Sequence, residues 1–76
     1  MVSLVDMKIN QSGIVIKING GAELVRRLEA LDVRVGKKIT KLSSMIMRGP
    51  IVVKVNGCQV AVGRGMAKKI MVEVNK

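Results

Sequence analysis

The sequence predicts a small, mainly β barrel of about five strands with one short inserted α-helix. The chain has 76 residues, which is enough for one domain with a single core. Val and Ile together number 21, against 5 Leu, and side chains branched at Cβ pack better on a pleated sheet than on a helix. Short stretches of alternating apolar and polar residues are separated by turn signals, and such a sheet protects its edges by curling and closing. We therefore treat residues 1–76 as one domain.

The first predicted strand covers residues 13–19, where apolar and polar positions alternate. One of its faces consists of isoleucines, namely Ile14, Ile16 and Ile18. Ser12 and Gly13 stand at its start and form a turn signal. Gly20 and Gly21 then interrupt the strand.

A short helix is predicted over residues 22–31, because Leu24, Leu28 and Leu31 follow one another at helical spacing. A helix of about ten residues is not stable alone, so it has to dock on the sheet. Asp32 follows the last leucine. At that position a helix commonly ends in a left-handed residue, a conformation that Asp adopts less readily than Gly.

The second half of the chain reads as four further strands and a short turn of helix. In residues 38–47 the apolar positions change phase, which indicates a β-bulge. Asn56-Gly57, with apolar alternation on both sides, is a strong signal for a two-residue hairpin, because a type I′ turn needs positive φ at both positions. Residues 66–69 are expected to form one turn of helix, and Ile70, Val72 and Val74 mark the last strand.

The composition excludes several classes of function. The chain has no His and one Cys, so it cannot form a zinc finger, a two-His-one-carboxylate site or a His-based acid–base pair. Its five acidic residues are scattered, and Cys58 alone is more typical of an inert buried residue than of a metal or redox site. We expect no metal site, no cofactor and no enzymatic activity. The absence of Phe, Trp and Tyr also argues against the base stacking used by binders of single-stranded nucleic acids.

The basic residues are unevenly distributed. The net charge is +9, and residues 37–76 carry nine basic residues and one acidic residue, a net charge of +8. This asymmetry favours an anionic partner, which is nucleic acid, lipid headgroups or an acidic protein surface. The simpler interpretation is a basic face that only keeps the protein soluble. No apolar run reaches the ~18–20 residues of a membrane span, and the start lacks the features of a signal peptide, so we expect a cytoplasmic protein.

Three segments together resemble one known family, that of ferrous iron transport protein A (FeoA). They are GGAELVRRLEALDVRVGKKI (20–39), RGPIVVKVNGCQVAV (48–62) and KKIMVEV (68–74). The family has a glycine-led helix, a short step with two glycines that leads into a strand, a Gly/Pro loop, a hairpin and a final short strand. Gly36 matches the second glycine of the step, whereas Asp32 stands where the family usually has the first.

The resemblance implies an SH3-like barrel that works as a cytoplasmic accessory protein of ferrous iron uptake and acts on the cytosolic GTPase region of a FeoB-type membrane transporter. On this interpretation the partner-binding residues are Arg48, Lys54, Arg64, Met66, Lys68 and Lys69. The alternative is a small basic nucleic-acid-binding barrel or a repressor-like domain, since the fold also resembles the C-terminal domain of iron-dependent repressors. Exposed strand edges additionally allow homo-oligomers.

Overall fold

The computed structural model describes residues 1–44 and 49–74. In chain order its elements are β1 (Val2–Ser3), a 3-10 helix (Leu4–Asp6), β2 (Ser12–Ile18), α1 (Ala22–Ala30), β3 (Lys38–Ser44), β4 (Ile51–Val55), β5 (Cys58–Val62), α2 (Arg64–Ala67) and β6 (Ile70–Val74). The strands pair antiparallel in the order β1-β6-β2-β3-β4-β5. The predicted mainly β architecture with one principal helix is therefore confirmed, and β1 brings the described strands to six. Neither helix in this part of the chain has the length and hydropathy that crossing a membrane requires.

One apolar core lies between the inner face of the sheet and α1. Leu28, at the centre of the predicted leucine stripe, is fully buried, and Leu24 and Leu31 pack against the same core. The predicted stripe and its docking on the sheet are thus confirmed. The fully buried side chains come from strands and helices alike, and the largest are Leu4, Leu28, Ile39, Ile51, Ile70, Val15, Val33, Val53, Val55, Val62 and Val72.

Strand β2 differs from the prediction in the direction of its isoleucines. Val15 is buried, whereas Ile14 and Ile16 are 36% and 39% exposed. The register with β6 shifts between Val15 and Lys17, so Ile16 is the extra residue of a β-bulge. The bulge exchanges the two faces, and beyond it Ile18 packs on the core. The expectation of a single isoleucine face along the strand is therefore wrong.

Gly13 was predicted as the first residue of this strand and as part of a turn signal. It lies inside β2, which begins at Ser12. It pairs with Ile39 of β3 on one side and with Val74 of β6 on the other. A Cβ atom at this position would lie 2.5 Å from Cγ1 of Val72, and closer still to the carbonyl oxygen of Glu73. Glycine is needed here because the backbones approach too closely for any side chain.

The hairpin of β4 and β5 is formed as predicted. Asn56 and Gly57 connect the strands with φ values of 54° and 79°, and Val55 lies opposite Cys58. The predicted irregularity of the preceding strand is also confirmed, since the register of β3 with β4 shifts between Lys41 and Ser43. Residues 45–47, with which that strand was predicted to end, lie outside the described part of the chain.

From the hairpin at one end of the strand order, the chain passes through α2 to β6, which lies between β1 and β2. This short helix covers residues 64–67, two residues earlier than predicted, and buries Ala67. In β6, Ile70 and Val72 are fully buried while Glu73 is exposed, so the alternation predicted for the last strand is confirmed. The strand pairs with both β1 and β2.

Candidate functional site

A shallow basic groove lies on the outer face of the sheet beside the hairpin. It has a volume of about 330 Å³ and is lined by Lys38, Thr40, Lys54, Asn56 and Gly57; we call it the hairpin groove. The groove exists because Thr40 of β3 lies opposite Lys54 of β4, so alternate residues of the two strands face the same side. The two lysine side chains that line it give the groove a positive charge, which favours anionic groups.

The neighbouring strand β2 continues this face with polar and apolar residues. The hydroxyls of Ser12 and Thr40 are hydrogen-bonded at 2.7 Å, which holds the Thr40 side chain at the floor of the groove. Ile14 lies opposite Lys38 and is partly exposed. A ligand of the groove therefore meets positive charge and, towards β2, apolar surface.

The end of α1 is closed by a Schellman motif that has aspartate where glycine is usual. Asp32 adopts a φ of 66°. Its amide donates to the carbonyl of Glu29 at 2.9 Å, and the amide of Val33 donates to the carbonyl of Leu28 at 2.8 Å. Val33 and Leu28 are both fully buried, which supplies the hydrophobic contact of the motif. Asp32 thus occupies the left-handed position that glycine usually holds in this motif, and Gly36 also has a positive φ, of 94°.

The carboxylate of Asp32 connects the helix end to the hairpin groove. It accepts a hydrogen bond from Nδ2 of Asn56, the first residue of the hairpin turn. Its other oxygen lies 3.6 Å from Nε of Arg34, in an exposed ion pair. Two residues in left-handed conformations, one at the helix end and one in the turn, therefore hold each other in place.

We expect Asp32→Ala to lower the free energy of unfolding by about 1–2 kcal/mol, because alanine keeps the cost of the left-handed backbone and loses the bond to Asn56. Asp32→Gly is the matched variant. It loses the same bond but relieves the backbone, so its stability should lie within about 0.5 kcal/mol of the parent. Urea denaturation of the three proteins measures both effects. Equal losses in the two variants would show that the carboxylate matters and the backbone conformation does not.

Lys41 is a buried polar residue that the sequence analysis missed. Its side chain is 4% exposed, and Nζ donates to the carbonyls of Val5 at 2.8 Å and Met7 at 2.7 Å. These carbonyls end the 3-10 helix, so one lysine of β3 caps the N-terminal segment. Burial lowers the pKa of Lys41, the nearby Arg64 guanidinium lowers it further, and Asp6 acts in the opposite direction. The available signal was its position two residues after Ile39, on the inner face of β3.

The residues predicted to bind a partner are distributed over two places. Lys54 is exposed and lines the hairpin groove together with Lys38. The remaining described candidates follow one another on α2 and at its exit, where the side chains of Lys68 and Lys69 are exposed and those of Arg64 and Met66 are half-buried. Arg48 lies outside the described residues. Val62 pairs with Ile51, so the loop before β4 and the start of α2 lie at the same end of the hairpin.

The side chains that ligate metals do not gather in one place. Within residues 1–44 and 49–74, no three His, Cys, Asp or Glu side chains lie close enough to hold a metal ion. Cys58 is exposed at the start of β5, so its interpretation as a buried residue is wrong. The chemistry that this surface offers is the binding of negative groups by lysine side chains.

A family model and a sequence relative point to the same family. A family model described as the FeoA domain matches residues 2–74. The "Putative Fe(2+) transport protein A" of Methanocaldococcus jannaschii is 34% identical over 73 residues, which are 96% of this chain and 87% of that protein. A crystal structure described as an iron uptake regulatory protein (FeoA) is 35% identical and superimposes with a TM-score of 0.89 over 97% of this chain and 96% of that one.

A third comparison bears on the fold. The zinc complex of Stenotrophomonas maltophilia FeoA, described as an SH3 domain protein, is 21% identical and has a TM-score of 0.78 over 96% of this chain and 91% of that one. At this identity the likeness concerns the fold alone. The SH3-like barrel expected from the sequence is thereby confirmed.

Proposed function

Since the chain belongs to the FeoA domain family, we propose that it is a non-enzymatic accessory protein of ferrous iron uptake. In this proposal it works in the cytoplasm and docks on the cytosolic GTPase region of a FeoB-type membrane transporter. The observation that carries the proposal is the family match over residues 2–74, which includes every described element of the barrel. The names of the M. jannaschii relative and of the crystallised iron uptake regulatory protein agree with a role in iron transport.

The charge distribution supports docking as the mode of action. The excess positive charge of the chain lies in residues 37–76, and Lys38, Lys54, Lys68 and Lys69 are exposed there. Exposed lysines attract an acidic surface, accelerate association and set the orientation of the complex. They supply no nucleophile or acid–base pair, and the sequence has no His to add one.

The mechanism that follows is a shift of a conformational equilibrium. A protein that binds one conformation of the transporter more tightly than another increases the population of the first. The barrel suits this role, because its exposed lysines stand on β4 and beside α2, and both elements pack on one core.

We expect the triple variant Lys54→Glu, Lys68→Glu, Lys69→Glu to bind the purified cytosolic region of such a transporter at least about tenfold more weakly than the parent. Isothermal titration calorimetry at near-physiological salt measures the affinity. The matched control is Lys8→Glu, Lys17→Glu, Arg26→Glu, which changes the net charge equally at other exposed positions. Its affinity should fall by less than about threefold, because only long-range attraction is reduced.

Two outcomes would contradict the proposal. If the parent does not bind the transporter region, the docking function is wrong. If both triple variants lose the same affinity, the named lysines do not form the contact. Steeply salt-dependent retention of the parent on DNA or RNA, in the absence of transporter binding, would instead support the alternative of a nucleic-acid-binding barrel.

A further inference from the structure

Strand β5 is an edge strand without the features that normally protect one. Among the described strands, the sheet ends at β1 on one side and at β5 on the other. The first edge is only two residues long, whereas the second has five, CQVAV, with no charge, no proline and no bulge. Natural edge strands are usually shortened, bent or charged, because a flat uncharged edge pairs with other chains. An edge strand that lacks these protective features indicates a site at which a strand of another chain pairs.

The register of the hairpin determines which backbone groups of β5 are open. A type I′ turn joins the carbonyl of Val55 to the amide of Cys58, so this pair is hydrogen-bonded and the alternate pairs along the strand are too. The amides and carbonyls of Gln59 and Ala61 then point away from β4. Within the described part of the chain they make no other hydrogen bond. The edge thus offers two donors and two acceptors in the spacing of an antiparallel ladder.

The side chains around this edge define the chemistry of its partner. Gln59 lies opposite Lys54 on the outer face, beside the hairpin groove and its second lysine, Lys38. Outward side chains of an added strand would stand about 10 Å from the backbone of Lys54, within reach of a lysine and a carboxylate that extend towards each other. Inward side chains would meet Val60, which is half-buried. An alternation of acidic and aliphatic residues fits both faces.

We propose that β5 binds an extended, acidic segment of a partner protein, which adds to the sheet as an antiparallel strand beyond β5. The hydrogen bonds to the backbone supply affinity, and Lys54 selects for acidic residues. Lys38 lies one strand farther away and adds only longer-range attraction. A second copy of this chain fits less well, since each copy carries a net charge of +9. The inference goes beyond the proposed function, because it rests on the open backbone of β5 and the neighbouring lysine side chains. It applies to any partner that has an acidic extended segment.

The test uses the full-length chain labelled with ¹⁵N and a short synthetic peptide of alternating Glu and Val that is long enough to span β5. We expect the amide resonances of Gln59 and Ala61 to shift on titration and their hydrogen exchange to slow. A peptide with Lys in place of Glu should not bind, and added salt should weaken binding of the acidic peptide. Peptide binding and docking on the transporter are measured separately, so either can fail alone.

Two variants locate the site. Ala61→Pro removes an outward amide that no other strand uses, and we expect it to weaken peptide binding about tenfold or more. Lys38→Gln with Lys54→Gln leaves the edge intact and should weaken binding of the acidic peptide and reduce its salt dependence. Shifts that map elsewhere would overturn the proposal, as would equal binding by a folded Ala61→Pro. Concentration-dependent shifts of Gln59 and Ala61 without peptide would show that a second copy occupies the edge, and this too would overturn it. If Ala61→Pro fails to fold, the lysine variant and the exchange rates in the parent decide.

Discussion

Replacing Gly13 by Ala is expected to lower the free energy of unfolding by about 3 kcal/mol, which in a domain of this size lowers Tm by about 12–24 °C. The new methyl group would overlap Cγ1 of Val72 and the carbonyl oxygen of Glu73. The carbonyl belongs to the backbone of β6 and has no rotamer with which to move aside. Strands β2 and β6 must separate, which weakens their hydrogen bonds. Since a domain of this size has a total stability of about 4–11 kcal/mol, the loss is a large part of it.

The matched control for this variant is Gly65→Ala. Gly65 is exposed in α2, and an added Cβ would meet no atom within 4 Å. Alanine also favours a helix by up to about 1 kcal/mol over glycine, so this variant should be as stable as the parent or slightly more so. Differential scanning calorimetry of both variants measures the contrast. If Gly13→Ala has the same Tm as the parent, β2 and β6 can move apart without loss of stability, which would contradict this prediction.

Lys41→Met is expected to lower the free energy of unfolding by about 2 kcal/mol at neutral pH. Methionine has a similar length, so the loss is not one of volume. It leaves the carbonyls of Val5 and Met7 without the donor they have in the parent, and a buried acceptor without a partner costs about 1–3 kcal/mol. Removal of a buried ammonium offsets part of this cost. Lys54→Met, an exposed position on the neighbouring strand, is the control and should be close to neutral.

The same variant should change the pH dependence of stability. The pKa of Lys41 is lowered from 10.5 in the folded protein. Between the lowered value and 10.5 the unfolded chain binds more protons than the folded one, so this residue makes the protein more stable as the pH rises through that window. We expect the rise in the parent and in Lys54→Met, and its absence in Lys41→Met. Urea denaturation at several pH values from neutral to 10.5 tests this; parallel curves for all three proteins would contradict a lowered pKa.

The hairpin turn and the helix α1 could be predicted from the sequence, because residues that are close together in the chain determine them. Asn56 and Gly57 form the predicted turn since few other residue pairs adopt positive φ twice in succession. The leucine stripe of α1 could be predicted because it needs only an apolar surface to pack on, and the inner face of any sheet provides one. The resemblance to the FeoA family rested on many such weak signals in one order, and the match over residues 2–74 agrees with it.

Non-local features could not be predicted in the same way. The direction of Ile14 and Ile16 depends on a bulge that exists only against β6, and the need for Gly13 arises from the same strand. Lys41 looks like an ordinary surface lysine until the 3-10 helix places two carbonyls beside it. Each of these depends on a segment more than thirty positions away in the chain.

Only part of the candidate site could be predicted, because the rest of it depends on contacts between distant segments of the chain. Lys54 could be recognised as outward-facing from the alternation of β4, and it lines the groove. Lys38 was not singled out, because its place beside Lys54 depends on the register of β3 with β4. In the sequence, Asp32 is only a residue less suited than glycine to the helix end. Its hydrogen bond to Asn56 depends on where the fold places the hairpin, so it could not be predicted.

The position of β6 between β1 and β2 also governs how the chain reaches its fold. β2 is hydrogen-bonded to β6 on one side, so residues 12–18 keep an open edge until residues 70–74 have been synthesised. The hairpin and α1 form from neighbouring residues and come first, whereas closure of the sheet joins the most distant segments and comes last. We therefore expect slow folding on the ribosome, in which the growing chain exposes an aliphatic strand until β6 arrives.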